Sequence, residues 1–190
     1  NADQIGFSYA LPAANGASDA SNQKDLIFAY SEKTFNENDD PKVTISFRHA
    51  LSEVRFIIEA DDLGDIDIPS IKFENVASSG AFTFSTSGAF TCTASGKGTF
   101  GQDNMFSTAK AETLSGKSAF LTTNNFFMIP QTLGDDTKLT IKRTSGESLS
   151  AKVGGSWEPG KYYTYKLSPD KRRIEIQVTD SVTKDLKKDV

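Results

Sequence analysis

The chain is short of the residues on which many active sites depend. Its 190 residues include one cysteine, one histidine, one tryptophan and two methionines. Because Cys92 has no second cysteine to pair with, a disulfide framework within the chain is excluded. The spacings typical of zinc ligands, phosphate loops and nucleophile elbows are also missing. We therefore expect no cofactor, no metal centre and no enzymatic activity.

Positive charge and long apolar runs are scarce as well. The 21 lysines and arginines are outnumbered by 25 aspartates and glutamates, which gives a formal net charge of −4. Such a chain does not attract a polyanion, so nucleic acid is excluded as a partner. No apolar run approaches the roughly 20 residues of a membrane-spanning helix.

What remains is the composition of one globular domain. Hydrophobic residues make up 37% of the chain, and 14 of them are phenylalanines. A chain of this length can bury a full hydrophobic core and fold without disulfides or bound metals. We expect a single domain over residues 1–180 and a charged tail over residues 181–190. No charged-then-apolar signal stretch opens the chain at Asn1, so we interpret it as a mature or trimmed form. We also expect this domain to be the later one of a longer precursor.

Short alternating segments recur about every ten residues and are separated by turn residues, which predicts an all-β, antiparallel β-sandwich. Period-two alternation predicts that five side chains pack inward between two layers; they are Val43, Ile45, Phe47, Tyr163 and Tyr165. A hairpin is expected over residues 81–93. A helical turn is expected over residues 107–114.

The alternation changes parity in the middle of the strongest strand. Val54, Phe56 and Ile58 lie on the opposite parity from Phe47, so one residue has to be absorbed between the two sets. We predict a β-bulge at Ser52–Glu53.

The residues that could take part in catalysis, metal binding or sugar binding are few, and most of them are expected to have a structural role. His49, alone in an alternating strand, is expected to be structural, and Cys92 is expected to be a small core residue. The acidic loop Asp61–Asp67 is interpreted as solvated, with weak calcium binding as the alternative. Trp157 and Tyr162 are the candidate exposed aromatics, because aromatic faces on a sheet can stack against a sugar ring.

Four segments in sequence resemble motifs of the fimbrillin-like family of Bacteroidales surface proteins, which are subunits of type V pili. The segments are Asp25–Ala29 (DLIFA), Phe47–Phe56 (FRHALSEVRF), Met128–Leu133 (MIPQTL) and Trp157–Tyr165 (WEPGKYYTY). With Ile5–Pro12 as a further matching strand, the resemblance spans residues 5–178. The similarity implies a transthyretin-like, Greek-key sandwich, export across the outer membrane as a lipoprotein precursor, and assembly into fimbriae.

In that assembly a strand donated by one subunit fills a groove of its neighbour, by β-augmentation. We expect a non-enzymatic structural or adhesive subunit of a cell-surface fimbria, whose partners are other pilus subunits and a host or bacterial surface glycan or protein. Ile174, Ile176 and Val178 alternate and mark either the last strand of the sandwich or the donor strand. The alternative function is a surface-displayed, glycan-binding β-sandwich module.

Overall fold

The computed structural model describes residues 4–14, 17–19, 23–29, 45–59, 68–85, 89–106, 113–114, 118–120, 126–142 and 148–167. Within these ranges every regular element is a β-strand, which confirms the predicted all-β class. The strands of the first half are β1 Gln4–Ala10, β2 Ala13–Ala14, β3 Ala17–Asp19, β4 Ile27–Ala29, β5 Phe47–His49, β6 Ser52–Glu59, β7 Ile68–Val76, β8 Ser79–Ser85 and β9 Phe90–Ser95. Those of the second half are β10 Gly98–Phe106, β11 Thr113–Leu114, β12 Ser118–Phe120, β13 Phe126–Met128, β14 Gln131–Thr132, β15 Lys138–Lys142, β16 Ser148–Lys152, β17 Ser156–Trp157 and β18 Tyr162–Leu167.

Two larger sheets form the layers of the sandwich. One has six strands in the order β16-β15-β7-β10-β3-β2, and the other has the order β11-β12-β6-β13 with β18 also paired to β6. β12 pairs with residues 57–59 of β6 and β13 with residues 52–54, while β18 runs beside residues 53–58. Since a strand has only two edges, β12 and β13 share one edge of β6 and β18 takes the other.

Aromatic side chains from the two sheets meet in the core. Phe73 of β7 is fully buried, and its ring centroid lies 5.9 Å from that of Phe56 on β6 and 5.6 Å from that of Tyr165 on β18. Phe100 of β10 meets Phe126 of β13 edge to face at 5.3 Å. Contact between rings of facing sheets is the packing of a β-sandwich. The inward positions predicted for Tyr165 and for Tyr163, which is 8% exposed, are confirmed.

A third sheet, in the order β1-β8-β9, carries the predicted hairpin. Phe82 pairs with Cys92 and Phe84 with Phe90, as the alternation predicts. The phenylalanines of the hairpin stack with Phe7 of β1, whose ring lies 5.1 Å from that of Phe82. Phe28 of β4 also belongs to this group, because its ring centroid lies 4.3 Å from that of Phe90. The hairpin therefore packs against β4 through aromatic rings.

The short ribbon of β4 and β5 corrects one prediction. Ile45 is 55% exposed and Phe47 67% exposed, so the expectation that both face the core is wrong. The reason is that the ribbon packs by the face that carries Phe28, and Phe47 pairs with Ala29 on the opposite face. Alternation identifies two faces of a strand but does not say which of them is covered. Val43 lies outside the described residues.

The change of parity is produced by a break between strands and not by the predicted β-bulge. β5 ends at His49 and pairs with β4, whereas β6 begins at Ser52 in a different sheet. Ala50 and Leu51 between them are both buried, at 0% and 2% exposure. A corner of two residues lets the chain change sheets, and this accounts for the shift without an extra residue inside one strand.

Two other details differ from the sequence-based expectations. β18 runs parallel to β6, and β3 runs parallel to β10, so the sheets are mixed and not purely antiparallel. A parallel pair needs a long crossover, which the chain between residues 59 and 162 supplies. Within the predicted helical turn, Thr113–Leu114 is instead a short strand paired with β12; residues 107–112 lie outside the described part.

Candidate functional site

The two-residue corner between β5 and β6, together with the strand ends that flank it (residues 49–53), is held by hydrogen bonds to two distant segments. Ala50 N–H donates to Leu26 C=O at 2.7 Å, and Leu51 C=O accepts from Gly160 N–H at 3.0 Å. The remaining bonds join Ser52 Oγ–H to Glu158 C=O at 2.8 Å and Glu53 N–H to Lys161 C=O at 2.9 Å. Three of the segments that carry the family resemblance therefore meet at this corner.

His49 contributes a side-chain to side-chain contact to the corner. Its Nδ1 lies 2.5 Å from Oδ2 of Asp25, and both side chains are about one quarter to one third exposed. Because an ionised carboxylate can only accept, Nδ1 carries the proton of this hydrogen bond. The contact ties the start of the ribbon to its second strand, which is the structural role expected for His49.

Asp25 has one oxygen that this contact does not use. Oδ1 is buried and has no hydrogen-bond partner among the described residues. Burial, and after it the negative charge of Asp25, raises the pKa of the neighbouring Tyr9. Buried carboxylate oxygens without a hydrogen-bond partner are rare in folded proteins. We therefore expect a donor that is not among the described residues to bind Oδ1.

A cleft of about 130 Å³ opens beside this pair. Its walls come from the strand ends around the corner, and its lining residues are Asp25, His49, Leu51, Glu53, Arg55, Phe127, Gly160, Lys161 and Tyr162. Gln23 fixes the entry segment by bonding both main-chain groups of Phe127, accepting from its N–H at 2.7 Å and donating to its C=O. The cleft is thus bounded by anchored backbone on several sides.

Two ion pairs border the cleft. Arg55 Nε donates to Glu53 Oε1 at 2.7 Å, and Lys161 pairs with Glu158. The guanidinium carbon of Arg55 also lies 4.6 Å from the ring centroid of Tyr162, which is a cation–π distance. Tyr162, the other predicted exposed aromatic, is half-buried.

The prediction that Trp157 is exposed is wrong. Its side chain is 2% exposed, and its ring meets Phe73 edge to face at 5.1 Å. β17 pairs with β14 and directs the indole inward, where Nε1–H donates to Tyr165 Oη at 3.0 Å. Burial raises the pKa of Tyr165 to about 12. Trp157 is therefore a core residue and forms no part of a sugar platform.

Cys92 and the acidic residues give no reaction centre in the described part of the chain. Cys92 is half-buried, and burial raises the pKa of its thiol to about 11, so the thiol form dominates at neutral pH. No group of three or more histidines, cysteines or acidic residues with metal-binding geometry occurs among the described residues. The predicted loop Asp61–Asp67, the tail 181–190 and the strand of Ile174, Ile176 and Val178 lie outside them.

The sequence analysis missed most of the cleft. Asp25, Glu53, Arg55 and Lys161 match no catalytic or metal-ligand spacing, because they come from three separate segments of the chain. One usable signal was present: all four lie inside segments that carry the family resemblance. Within the described ranges no helix is long and apolar enough to cross a membrane.

Comparison with known proteins decides the family. The profile described as fimbrillin-like matches residues 1–185 of the 190. The chain belongs to the fimbrillin-like family. No curated protein matches the chain. As a fimbrillin-like protein it shares its fold with two crystal structures that are 18% and 12% identical to it.

The first of these structures is a candidate cell adhesion protein from Bacteroides uniformis, with a TM-score of 0.62 over 92% of this chain. The second is a candidate cell adhesion protein from Bacteroides ovatus, with a TM-score of 0.51 over 96% of this chain. The fimbrillin-like chain spans 65% of the first protein and 69% of the second. At these identities the likeness shows the fold.

Proposed function

We propose that this chain is a non-enzymatic, structural or adhesive subunit of a cell-surface fimbria. The observation that carries the proposal is the fimbrillin-like match over residues 1–185. The fold supports it, because the two side chains most often used as a catalytic base or nucleophile have structural positions. The single histidine, His49, bonds Asp25 beside a corner of the chain, and the single cysteine, Cys92, is half-buried against the core. The two structural neighbours described as candidate cell adhesion proteins point in the same direction.

Assembly with other subunits by strand donation is the finer part of the proposal, and the edge of β1 supports it. β1 pairs with β8 over seven residues, and no described strand pairs with its other edge. Its sequence, QIGFSYA, has neither charge nor proline, and Ile5 is 72% exposed. Edge strands are ordinarily protected by charges, prolines or bulges, so an unprotected edge of this length suits the addition of another strand.

The proposed donor is the segment Ile174–Val178 of a neighbouring subunit. Ile174, Ile176 and Val178 alternate with Glu175 and Gln177, which gives one apolar and one polar face. Backbone hydrogen bonds to β1 would supply affinity, and the apolar face would set the register.

A charge substitution tests the donor. The variant Ile174→Asp/Ile176→Asp is expected to stop polymer growth while the subunit stays folded. The reason is that an unpaired charge on the apolar face of the donor cannot be buried in the interface with β1 of the next subunit. The matched control, Gln177→Asp/Thr179→Asp, adds the same charges to the polar face and is expected to polymerise normally. Polymer length is measured by electron microscopy and sedimentation, and normal polymers of the first variant would rule out this donor.

A cross-linking experiment tests the acceptor. In a Cys92→Ser background, cysteines are placed at Ser8, which is exposed on β1, and at Gln177 of the donor segment. A short bis-maleimide is expected to join different subunits into a ladder on a denaturing gel. Ladders that form equally well when Ser8→Cys is replaced by Thr93→Cys on β9 would contradict the choice of β1.

Localisation and domain organisation belong to the same proposal. We infer that the chain is exported across the outer membrane from a lipoprotein precursor, and that residues 1–180 form one folded unit before the charged tail. Immunogold labelling of intact producing cells is expected to decorate surface filaments, and limited proteolysis is expected to spare a core that ends near residue 180. Label confined to the cell interior would overturn the localisation.

A further inference from the structure

The three-stranded sheet β1-β8-β9 carries no charge. Its strands contain no charged residue and no proline, and neither does the whole stretch of residues 75–96, although 24% of the chain is charged. β9 forms one edge of this sheet, and no described strand pairs with its outer side. Edge strands are ordinarily protected by charges, prolines or bulges. β9 is therefore an edge that lacks the usual protection against pairing with another strand.

Two hydrogen bonds show which main-chain groups of β9 point outward. At the hairpin end Ser85 N–H donates to Ala89 C=O at 2.9 Å, and on the β1 side of β8 Leu11 N–H donates to Ser78 C=O at 2.8 Å. Hydrogen-bonded and non-hydrogen-bonded pairs alternate along an antiparallel ladder, and both bonds give the same alternation along β8. Every second residue of β9 therefore directs its N–H and C=O to the outer edge; these residues are Phe90, Cys92 and Ala94.

These outward groups favour one way of pairing β9 with a second copy of itself. In an antiparallel pair centred on Cys92, Cys92 lies opposite Cys92 and Phe90 lies opposite Ala94. All outward N–H and C=O groups of β9 are then used. A pair centred on Thr91 leaves Ala94 without a partner in β9, and a pair centred on Thr93 leaves Phe90 without one. The register centred on Cys92 is therefore the one that satisfies the edge.

The same register places compatible side chains opposite each other. On the outer face, exposed Thr91 lies opposite exposed Thr93 of the second copy. Hydroxyl pairs of this kind already join strands within the sheet, because Thr83 Oγ1 and Thr91 Oγ1 lie 2.6 Å apart. On the inner face the large Phe90 lies opposite the small Ala94. Since each copy has a formal net charge of −4, an uncharged edge is also where two copies can approach with least repulsion.

We propose that two copies of this chain join through β9, in an antiparallel pair centred on Cys92. The two three-stranded sheets then form one continuous sheet in the order β1-β8-β9-β9-β8-β1. One strand pair is much smaller than the roughly 1,200 Å² of a specific, stable interface, so we expect a dissociation constant of about 0.1–1 mM. Joints of this kind would link neighbouring fimbriae, a step that rests on the proposed function, and many weak joints acting together can hold firmly.

Disulfide trapping tests the pairing and its register. Thr91→Cys and Thr93→Cys are made in separate full chains, each with Cys92→Ser and with Ile174→Asp/Ile176→Asp, so that strand donation does not contribute. The proposed register places position 91 of one copy directly opposite position 93 of the other, at a Cα spacing of about 4.5 Å that a disulfide can span. Two copies of position 91, or two of position 93, lie diagonally at about 7–8 Å, which is too far.

The mixture of the two chains in a glutathione redox buffer is expected to form mainly the mixed disulfide. Isotope labelling of one chain lets mass spectrometry distinguish this product from disulfides between identical chains. The matched control is a mixture of chains with Ser148→Cys and Ser150→Cys in the same background. These residues are exposed on β16, which is the edge strand of the six-stranded sheet and carries Lys152. The control is expected to give only traces of mixed disulfide.

A pair of added charges tests the joint without a cross-link. Thr91→Lys/Thr93→Lys, in the Ile174→Asp/Ile176→Asp chain, places like charges directly opposite each other across the joint. Self-association measured by sedimentation equilibrium is expected to weaken by about tenfold or more. The control Ser148→Lys/Ser150→Lys adds the same charges to β16 and is expected to self-associate like the parent chain. A thermal melt of each variant shows that it is folded.

Three results would overturn the inference. The first is that the β16 control forms as much mixed disulfide as the β9 mixture, because chance collisions would then account for both. The second is that either β9 chain alone cross-links more than the mixture does, which would exclude the register centred on Cys92. The third is that the lysine pair on β9 self-associates as strongly as the pair on β16. Because every chain tested lacks the donor segment's apolar face, these results are independent of whether fimbriae form by strand donation.

Discussion

The indole Nε1–H of Trp157 donates a hydrogen bond to the phenol oxygen of Tyr165 over 3.0 Å, inside the sandwich. The two residues come from β17 and β18 and are 2% and 1% exposed. They flank Phe73, whose ring centroid lies 5.1 Å from that of Trp157 and 5.6 Å from that of Tyr165. A polar contact thus fixes how β18 packs against the six-stranded sheet.

Removing this hydrogen bond is expected to destabilise the fold. Trp157→Phe leaves the hydroxyl of Tyr165 without its donor and also opens space beside Phe73, so we expect a loss of about 2–4 kcal/mol in the free energy of unfolding. Urea denaturation measures it. A double-mutant cycle with Tyr165→Phe isolates the bond, with an expected coupling of about 1 kcal/mol. A coupling near zero would contradict the contact.

The raised pKa of Tyr165 predicts how the free energy of unfolding changes at alkaline pH. Its pKa is raised from 10.0 to about 12, chiefly by burial, so the unfolded chain ionises this group at a lower pH than the folded one does. The resulting stability is present below pH 10 and is lost as the pH rises towards 12, by roughly 1.4 kcal/mol per unit of pKa difference. The free energy of unfolding is measured from pH 9 to 12 in the native chain and in Tyr165→Phe. The native chain should show the steeper decline; parallel curves would contradict the assignment.

The positions of Phe47 and Phe73 predict very different costs for truncation. Phe73 is fully buried, so Phe73→Ala is expected to lose about 3–5 kcal/mol. Phe47 is 67% exposed, so Phe47→Ser is expected to change stability by less than about 0.5 kcal/mol. Thermal and urea denaturation of both variants check this. A large loss from Phe47→Ser would contradict the exposed position of Phe47.

Two glycines should respond in opposite ways to alanine. A Cβ at Gly101 would lie 2.4 Å from the carbonyl oxygen of Ile71 and 2.9 Å from Cα of Lys72, both backbone atoms of the neighbouring strand. Gly101→Ala is therefore expected to cost about 1–3 kcal/mol by forcing β10 and β7 apart. At Gly154 a Cβ would meet nothing within 4 Å, so Gly154→Ala is expected to be neutral or stabilising by up to about 1 kcal/mol. Equal melting temperatures for the two variants would disagree with this packing.

Local patterns gave the strands and turns that depend on neighbours in sequence. The hairpin of β8 and β9 pairs Phe82 with Cys92 as its alternation indicates. Gly134, Asp135 and Asp136 are turn residues, and the turn that they predict closes with Thr137 N–H donating to Gly134 C=O at 3.0 Å. Turn residues and period-two alternation act over a few positions, and for that reason a single sequence is enough to recognise them.

Contacts between distant segments were beyond such patterns. Phe47 alternates as regularly as Phe73, but only the packing of the β4–β5 ribbon through Phe28 leaves Phe47 in solvent. Trp157 is one of the two predicted exposed aromatics, whereas pairing of β17 with β14 directs it into the core. In both cases the outcome depends on which neighbour covers a face, and that neighbour is far away in the chain.

By itself the sequence determined that this protein is built from strands, that it lacks the residue patterns of common active sites, and that it carries fimbrillin-like motifs. Only the tertiary structure decided that Asp25, His49, Arg55 and Tyr162 surround one cleft. The physical reason is that alternation and turn chemistry are local, whereas a cleft is made by strands from different sheets that meet at a corner. Its polar groups are brought together by backbone hydrogen bonds such as that of Gly160 N–H to Leu51 C=O.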